Sequence, residues 1–167
     1  HHVHWKSLQG DTAFLHVLEE MGCRSVEEED GIKLFPPENA MHGGKFDLSA
    51  FSDQALTLAV ISCFADSPVT ITGIGHIRFQ ECDRFQAIVS NLTRMGIECE
   101  KVDEETICIH PGKPKPCEIE TFEDHRVAMS FAIPGLVTSG IVILNPGCCR
   151  KTFETYFDVL ESEICMG

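Results

Sequence analysis

The chain repeats a helix-and-hairpin pattern at an interval of 74 residues, and this repeat limits the folds that it can adopt. In each copy, apolar residues at helical spacing end at a glycine, and two short runs of strand-forming residues then end at a proline. The matching positions are Leu18, Met21, Gly22 and Pro37 in the first copy and Leu92, Met95, Gly96 and Pro111 in the second. The predicted helices cover 11–22 and 85–95, and the predicted hairpins pair 24–28 with 32–35 and 97–102 with 106–110.

A second pattern, a helix followed by a strand, recurs at an interval of 72 residues. The predicted helices cover 54–65 and 126–138, and the predicted strands cover 69–72 and 141–144. Arg78 and Arg150 match in this register, so the turn after each strand carries an arginine. Pro134 lies inside the second helix and predicts a kink, because it removes a backbone hydrogen bond. Together the two patterns predict a mixed α/β fold of repeated βαβαββ units of roughly 70 residues.

The composition is that of a globular chain with a strongly acidic balance. Its 167 residues are 43% hydrophobic and 23% charged, which suits one domain or two small lobes. No apolar run reaches the roughly 20 residues of a membrane span. The 13 basic and 26 acidic residues give a net charge of −13, which repels nucleic acid and anionic membranes. We therefore expect neither as a partner, and an anionic substrate needs a local cluster of cations.

Nine cysteines are scattered along the chain without a C-x-x-C pair. This spacing is wrong for a zinc site and predicts reduced, mostly buried thiols in a reducing compartment. The first residues, His1-His2-Val3-His4, resemble an expression tag, so residues 1–6 are interpreted as a tag or linker remnant. Because no secretory leader opens the chain, we expect a cytoplasmic protein.

Charged side chains stand at or near the starts of predicted helices. The residues at these positions are Asp53, Glu81, Arg84, His125, Arg126, Arg150 and Lys151. Arginines bind carboxylate and phosphate oxygens in pairs, lysine adds a point charge, and carboxylates move protons. A helix start also favours an anion. These residues therefore predict one rim that performs chemistry on a small polyanion, with no metal required.

Several single signals leave alternatives open. Glu81 and Arg84 share a face of a predicted helix at spacing three, and such a pair alone is typical of a structural ion pair. His125 is either a catalytic acid or a residue that orients Arg126. Three other histidines, His16, His42 and His110, are interpreted as surface or packing residues. The chain has no Gly-rich phosphate loop and no G-x-S-x-G, so nucleotide binding and serine hydrolysis lack their signals.

Four motifs together resemble the 5-enolpyruvylshikimate-3-phosphate (EPSP) synthase family. They are S-L-Q-G-D at 7–11, E-C-D-R at 81–84, D-H-R-V-A-M at 124–129 and K-T-F-E-T-Y-F at 151–157. The resemblance runs from about residue 7 to 163 and is to the C-terminal part of the family enzyme. It implies that 7–167 form the C-terminal domain, one lobe of an inside-out α/β barrel built from βαβαββ units. It also implies that the N-terminal domain is absent from this chain.

The resemblance implies an activity and a role for each site residue. The family enzyme moves the enolpyruvyl group of phosphoenolpyruvate onto the 5-hydroxyl of shikimate 3-phosphate, in the shikimate pathway of aromatic amino acid biosynthesis, without a cofactor. Asp53 would help to deprotonate that hydroxyl, and Glu81 would exchange a proton with the phosphoenolpyruvate methylene. The residues implied to bind substrate are Arg84, His125, Arg126, Lys151, His76 and Gln80.

Two of these positions depart from the family pattern. His76 stands where asparagine is usual, and Gln80 replaces the lysine before the motif glutamate. Both positions normally face shikimate 3-phosphate, so the lost positive charge is expected to weaken contacts with that substrate.

Two other interpretations stay open. UDP-N-acetylglucosamine enolpyruvyl transferase shares the architecture but usually carries D-L-R-A-G, whereas this chain has His125 before Arg126 and the pair Ala128-Met129 after it. A non-catalytic lobe that docks on a separate N-terminal half is the alternative outside enzymes. Because catalysis needs both walls of a cleft, we expect the isolated chain to be inactive or nearly so.

Overall fold

The computed structural model describes residues 3–164, with the backbone alone for Glu163 and Ile164. His1, His2 and Cys165 lie outside the described residues. Of the predicted tag or linker segment, His4 hydrogen-bonds Glu27 through Nδ1 at 3.2 Å, and the ring of Trp5 stacks on His16. This described part of the segment therefore packs against the rest of the chain.

The first elements are a helix and a hairpin, as the sequence predicts. Helix α1 (Phe14–Glu20) follows a 3-10 turn, and strands β1 (Arg24–Glu28) and β2 (Gly31–Phe35) pair antiparallel. Gly22 ends the helical segment with φ of +99°, a left-handed conformation that glycine adopts without a Cβ clash.

The middle of the chain forms one complete βαβαββ unit. Its elements are β3 (Gly44–Asp47), α2 (Ala55–Ile61), β4 (Val69–Thr72), α3 (Arg84–Arg94), β5 (Cys99–Lys101) and β6 (Ile107–Ile109). The sheet order is β3-β4-β6-β5, in which β3 and β4 run parallel and β6 pairs antiparallel with both β4 and β5. The hairpin thus returns to the outer edge of β4.

The last elements start a further unit of the same kind. They are β7 (Cys117–Ile119), α4 (His125–Ala132), β8 (Ile141–Ile143), α5 (Arg150–Phe153) and α6 (Tyr156–Ile164). Strands β7 and β8 pair in parallel, as β3 and β4 do. The described residues therefore hold the end of one unit, a whole second unit and the start of a third, which confirms the repeated mixed α/β architecture.

The structure corrects three details of the sequence interpretation. The sequence patterns predict neither β3 nor β7, because both strands are short and follow glycine- or proline-rich segments. The helix predicted over 126–138 ends at Ala132 and continues as a 3-10 helix over Ile133–Leu136. Since Pro134 cannot donate to the preceding turn, the helix changes type there. Of the eight described cysteines only Cys63 and Cys149 are buried. The prediction that most of the thiols are buried is therefore wrong for the described residues.

Three helices pack their apolar faces into one core. Helices α2, α3 and α4 each bury an apolar face, which includes Leu56, Leu58, Ile88, Val127 and Phe131. Burial of such side chains stabilises the fold by about 1.5–3 kcal/mol each.

Within residues 3–164, no helix has the length and apolar character that crossing a bilayer would need.

Candidate active site

Asp124 is the buried anchor of the site. It is fully inaccessible and caps α4, where its Oδ1 accepts the backbone N–H of Arg126 at 2.8 Å. Its carboxylate also accepts Nε of Arg84 at 2.7 Å and Nη2 of Arg84 at 3.3 Å. Burial acts to raise the pKa of Asp124, but the Arg84 guanidinium and the helix N–H groups lower it below its ordinary value. Asp124 therefore stays ionised and fixes Arg84 against α4.

Asp53 lies beside this pair, in the 3-10 turn that precedes α2. Its Oδ1 accepts Nη1 of Arg84 at 3.0 Å and Nε2 of Gln80 at 3.2 Å. Its Oδ2 lies 2.9 Å from Nη2 of Arg126. One carboxylate thus connects the starts of α2, α3 and α4.

Glu81 forms a second acidic centre with partners from the third unit. Its Oε1 lies 2.8 Å from Nζ of Lys151, and its Oε2 lies 3.0 Å from Nδ1 of His125. The hydrogen bond from Lys151 lowers the pKa of Glu81 despite partial burial, and the same bond raises the pKa of Lys151. The predicted helical pairing of Glu81 with Arg84 is wrong, because α3 begins only at Arg84, after its N-cap Asp83.

A cleft of about 280 Å³ opens beside these two centres. It is lined by Asp53, Gln54, Thr57, His125, Arg126, Met129, Ser130, Ile133, Thr152 and Tyr156. Tyr156 donates its hydroxyl to the carbonyl of Met129 at 2.9 Å, which fastens α6 to α4. The wall of the cleft therefore combines residues from α2, α4 and the segment that carries the K-T-F-E-T-Y-F motif.

Most of the predicted site residues meet at this wall. Those that contact one another are Asp53, Gln80, Glu81, Arg84, His125, Arg126 and Lys151. His76 contacts the residue next to Asp53, because its Nε2 lies 2.7 Å from the hydroxyl of Ser52. His125 contacts Glu81 through its ring, which leaves the suggested orienting of Arg126 without a contact to support it.

The two arginines that match at an interval of 72 residues do not share a role at this wall. Arg78 bonds the carbonyl and carboxylate of Glu104, and its guanidinium lies 3.8 Å from the ring centroid of Phe85. Arg150 is exposed at the start of α5, and Lys151 is the cation of that pair that reaches Glu81. Arg78 is thus part of the packing of α3.

Sequence reasoning gave Asp124 no role, although the residue stands in a motif that carries the resemblance. The available signal was an aspartate directly before an apolar helix, which is the pattern of an N-cap. What the sequence does not show is that the same carboxylate holds an arginine from 40 residues earlier in the chain.

The charges at the wall suit an anion better than a metal ion. Ligand atoms of Glu81, Asp124 and His125 lie within 4.8 Å of one another, but Lys151 and Arg84 already bind the two carboxylates. The side chains of Arg126 and Lys151 are 34% and 53% exposed, so an anion from solvent can reach both. Arginine and lysine at a helix start are groups that bind phosphate and carboxylate.

Comparison with known proteins identifies the family. The profile of EPSP synthase (3-phosphoshikimate 1-carboxyvinyltransferase) matches residues 1–160. The chain belongs to the EPSP synthase family. It is similar to the 3-phosphoshikimate 1-carboxyvinyltransferase of Nostoc punctiforme, with 44% identity over 93% of this chain and 36% of that protein. It is also similar to the chloroplastic enzyme of Brassica napus, with 38% identity over 93% of this chain and 31% of that protein.

Solved structures of enolpyruvyl transferases share this fold. EPSP synthase from Acinetobacter baumannii superposes with a TM-score of 0.80 and 27% identity over 90% of this chain and 38% of that chain. The enolpyruvyl transferase NikO from Streptomyces tendae has a TM-score of 0.71 at 19% identity, over 88% of this chain and 34% of that one, which shows the fold alone. The architecture of an enolpyruvyl transferase lobe is thus confirmed. The chain spans about a third of the length of the curated relatives it matches.

Proposed function

We propose that this chain supplies one wall of the active site of an EPSP synthase. The reaction is transfer of the enolpyruvyl group from phosphoenolpyruvate to the 5-hydroxyl of shikimate 3-phosphate. The observation that carries the proposal is a pair of partly exposed cations, each held by a carboxylate: Arg126 lines the cleft with Asp53, and Lys151 bonds Glu81, which contacts His125 of the same cleft. Family membership supports the choice of substrates over those of a UDP-N-acetylglucosamine enolpyruvyl transferase.

Arg126 and Lys151 would bind the phosphate and carboxylate of phosphoenolpyruvate. In this structure their charges are offset by Asp53 and Glu81, so an incoming dianion would take over the cations and release the carboxylates. Arg84 is only 5% exposed and bonds Asp124, Asp53 and Gln80, so it can grip the substrate only by giving up Asp53 or Gln80. Cations fixed in this way also stabilise the charge that develops during addition and elimination.

The two released carboxylates would move the protons of the reaction. Asp53 would accept the proton of the shikimate 5-hydroxyl as that oxygen bonds to phosphoenolpyruvate. Glu81, after it takes up a proton, would give that proton to the methylene carbon in the same addition, and it would remove a proton from the resulting methyl group as phosphate leaves. His125 would act through Glu81, because its Nδ1 lies 3.0 Å from that carboxylate. No cofactor takes part in this scheme.

The family departures at His76 and Gln80 change how the acceptor substrate would be held. Gln80 donates to Asp53 and accepts from Arg84, two bonds that a lysine could not make together. Its amide is neutral, so we expect weaker attraction for the phosphate of shikimate 3-phosphate than in relatives with lysine. His76 would contribute a ring nitrogen near Ser52 in place of an amide.

The test is a hybrid enzyme in which this chain replaces the matching segment of the Nostoc punctiforme relative. We expect steady phosphate release from phosphoenolpyruvate with shikimate 3-phosphate as acceptor, and none with UDP-N-acetylglucosamine. The unmodified relative is the control for the assay. A folded hybrid without release, or one that accepts UDP-N-acetylglucosamine, would contradict the proposal.

The isolated chain should not turn over, because the opposite wall of the cleft is needed to hold both reactants. Steady phosphate release by the purified chain alone would refute this expectation. Mixing the chain with the remaining part of the relative tests the alternative that it is a non-catalytic lobe that docks on a separate N-terminal half. A one-to-one complex without activity would favour that alternative.

A cytoplasmic location is part of the proposal, because half-buried free thiols persist in a reducing compartment. With a net charge of −13, nucleic acid is not an expected partner.

A further inference from the structure

Four possible metal ligands lie together on the hairpin of β5 and β6, which contributes no residue to the candidate active site. They are Glu98, Glu100, Cys108 and His110. Ligand atoms of Glu98, Glu100 and His110 all lie within 4.8 Å of one another, and Sγ of Cys108 lies 4.0 Å from Nε2 of His110. Thiolate, imidazole and carboxylate are the three donor types that zinc binds in proteins.

Strand pairing explains why these side chains converge. Glu100 lies opposite Cys108 in the antiparallel register, and the backbone N–H of His110 donates to the carbonyl of Glu98 at 2.9 Å to extend the ladder. Ile107 and Ile109 are buried, so the residues that alternate with them on β6 and beyond point to the other face. The four side chains therefore occupy two neighbouring rungs on one face of the hairpin.

Two of the separations are close to those of a tetrahedral zinc site. With zinc bonds of about 2.3 Å to sulfur and 2.0 Å to nitrogen or oxygen, tetrahedral angles place sulfur and nitrogen about 3.5 Å apart and nitrogen and oxygen about 3.3 Å apart. Here Sγ of Cys108 is 4.0 Å from Nε2 of His110, and that Nε2 is 3.4 Å from Oε1 of Glu100. Cys108 is not in the group whose ligand atoms all lie within 4.8 Å of one another, so its side chain would turn from beside His110 toward the two carboxylates when the ion binds.

An ion can reach this face and would relieve a repulsion there. The side chains of Glu100 and His110 are 58% and 36% exposed. Glu98 and Glu100 place carboxylate oxygens near each other, which is unfavourable unless a positive charge lies between them.

We propose that the β5–β6 hairpin binds a zinc ion through Cys108, His110, Glu100 and Glu98. This site is separate from the proposed transferase chemistry and does not depend on it. A search for C-x-x-C spacing cannot find it, because its ligands alternate along two paired strands. His110 then has a binding role in addition to the surface role assigned from the sequence.

The experiment is a titration of the 167-residue chain with Co²⁺, a spectroscopic substitute for zinc, in a reductant that contains no thiol. We expect a thiolate-to-cobalt charge-transfer band with the visible bands of a tetrahedral ion, and loss of both when Zn²⁺ is added. Cys108→Ser should abolish the charge-transfer band, and His110→Ala should weaken Co²⁺ binding at least tenfold, roughly what outer-shell losses alone can cost.

Matched variants separate this site from other thiols and histidines. Cys82→Ser tests the thiol near Asp124, Cys117→Ser tests another half-buried strand thiol, and His42→Ala tests an exposed histidine paired with Asp66. These three should leave the band and the affinity unchanged. Absence of a charge-transfer band in the folded chain, or a band that survives Cys108→Ser, would overturn the proposal.

Discussion

Two ion pairs each take one residue from the segment 81–84, but they differ greatly in their exposure to solvent. They are Asp124–Arg84 and Glu81–Lys151. The side chains of Asp124 and Arg84 are 0% and 5% exposed, whereas those of Glu81 and Lys151 are 36% and 53% exposed. A buried charge needs its partner permanently, because desolvation of an unpaired ion is costly. An exposed pair is weak and can exchange its partner for another ion.

Asp53 connects these two kinds of pair. One of its oxygens bonds the buried Arg84, and the other bonds Arg126, whose side chain is 34% exposed. The buried pair thus fixes the position of a carboxylate that faces the cleft. We therefore expect Asp124 and Arg84 to stabilise the fold, and Arg126 and Lys151 to exchange their carboxylate partners for the substrate.

The largest expected effect is on stability, from Asp124→Ala. The variant leaves Arg84 buried without its bidentate partner and removes the cap of α4, so we expect a loss of about 3–5 kcal/mol in the free energy of unfolding. Denaturant unfolding of the 167-residue chain measures this. Glu81→Gln is the control from the cleft and should shift the unfolding midpoint only slightly. Equal shifts for both variants would remove the distinction between the pairs.

Acid titration sharpens the same contrast. Despite the opposing effect of burial, Arg84 holds the pKa of Asp124 below its ordinary value. The stability from this group is therefore full above the unfolded pKa of about 3.9 and is lost as the pH falls through the lower folded pKa. Asp124→Asn should flatten the dependence of unfolding free energy on pH in this acid range. An unchanged slope would mean that other carboxylates control acid unfolding.

Arg126→Lys should affect catalysis and leave stability nearly unchanged. Lysine cannot form two parallel bonds to a carboxylate or phosphate, so the KM for phosphoenolpyruvate in the hybrid enzyme should rise about 10–100-fold, as expected for loss of one charge-assisted bond. Initial rates of phosphate release at varied phosphoenolpyruvate give this value. Arg150→Lys, at an exposed arginine of α5, is the matched control. A KM that does not change would exclude Arg126 as a substrate contact.

The smallest expected effect is on the stability of Lys151→Met. The ion pair with Glu81 is exposed on both sides, so its loss should leave the unfolding midpoint within experimental error of the parent chain. The same variant should weaken phosphoenolpyruvate binding in the hybrid. A clear fall in the unfolding midpoint would show that Lys151 is a structural residue.

The repeat and the site could be predicted because they depend on local patterns. The stop at Gly22, the hairpin of β1 and β2, and the helix starts that carry Asp53 and Arg126 all follow from spacing, turn chemistry and charge at helix ends. Elements with such signals were placed correctly within a few residues.

The details that failed depend on contacts between distant residues. Strands β3 and β7 are short, and their pairing with β4 and β8 rather than their composition makes them strands. The partners of Glu81 come from 44 and 70 residues further along the chain, at His125 and Lys151, so spacing within one helix pointed to Arg84 instead. The buried bond of Asp124 to Arg84 is likewise visible only in three dimensions.

The central claim is that the carboxylates at the cleft move protons in enolpyruvyl transfer, and Glu81→Gln in the hybrid enzyme tests it most directly. Glutamine keeps the size of the side chain and one oxygen that can accept from Lys151, but it cannot exchange a proton, so kcat should fall by about 10²–10⁴-fold. Glu154→Gln, at an exposed glutamate of the neighbouring motif, should keep the parent rate. A kcat for Glu81→Gln equal to that of this control would contradict the account.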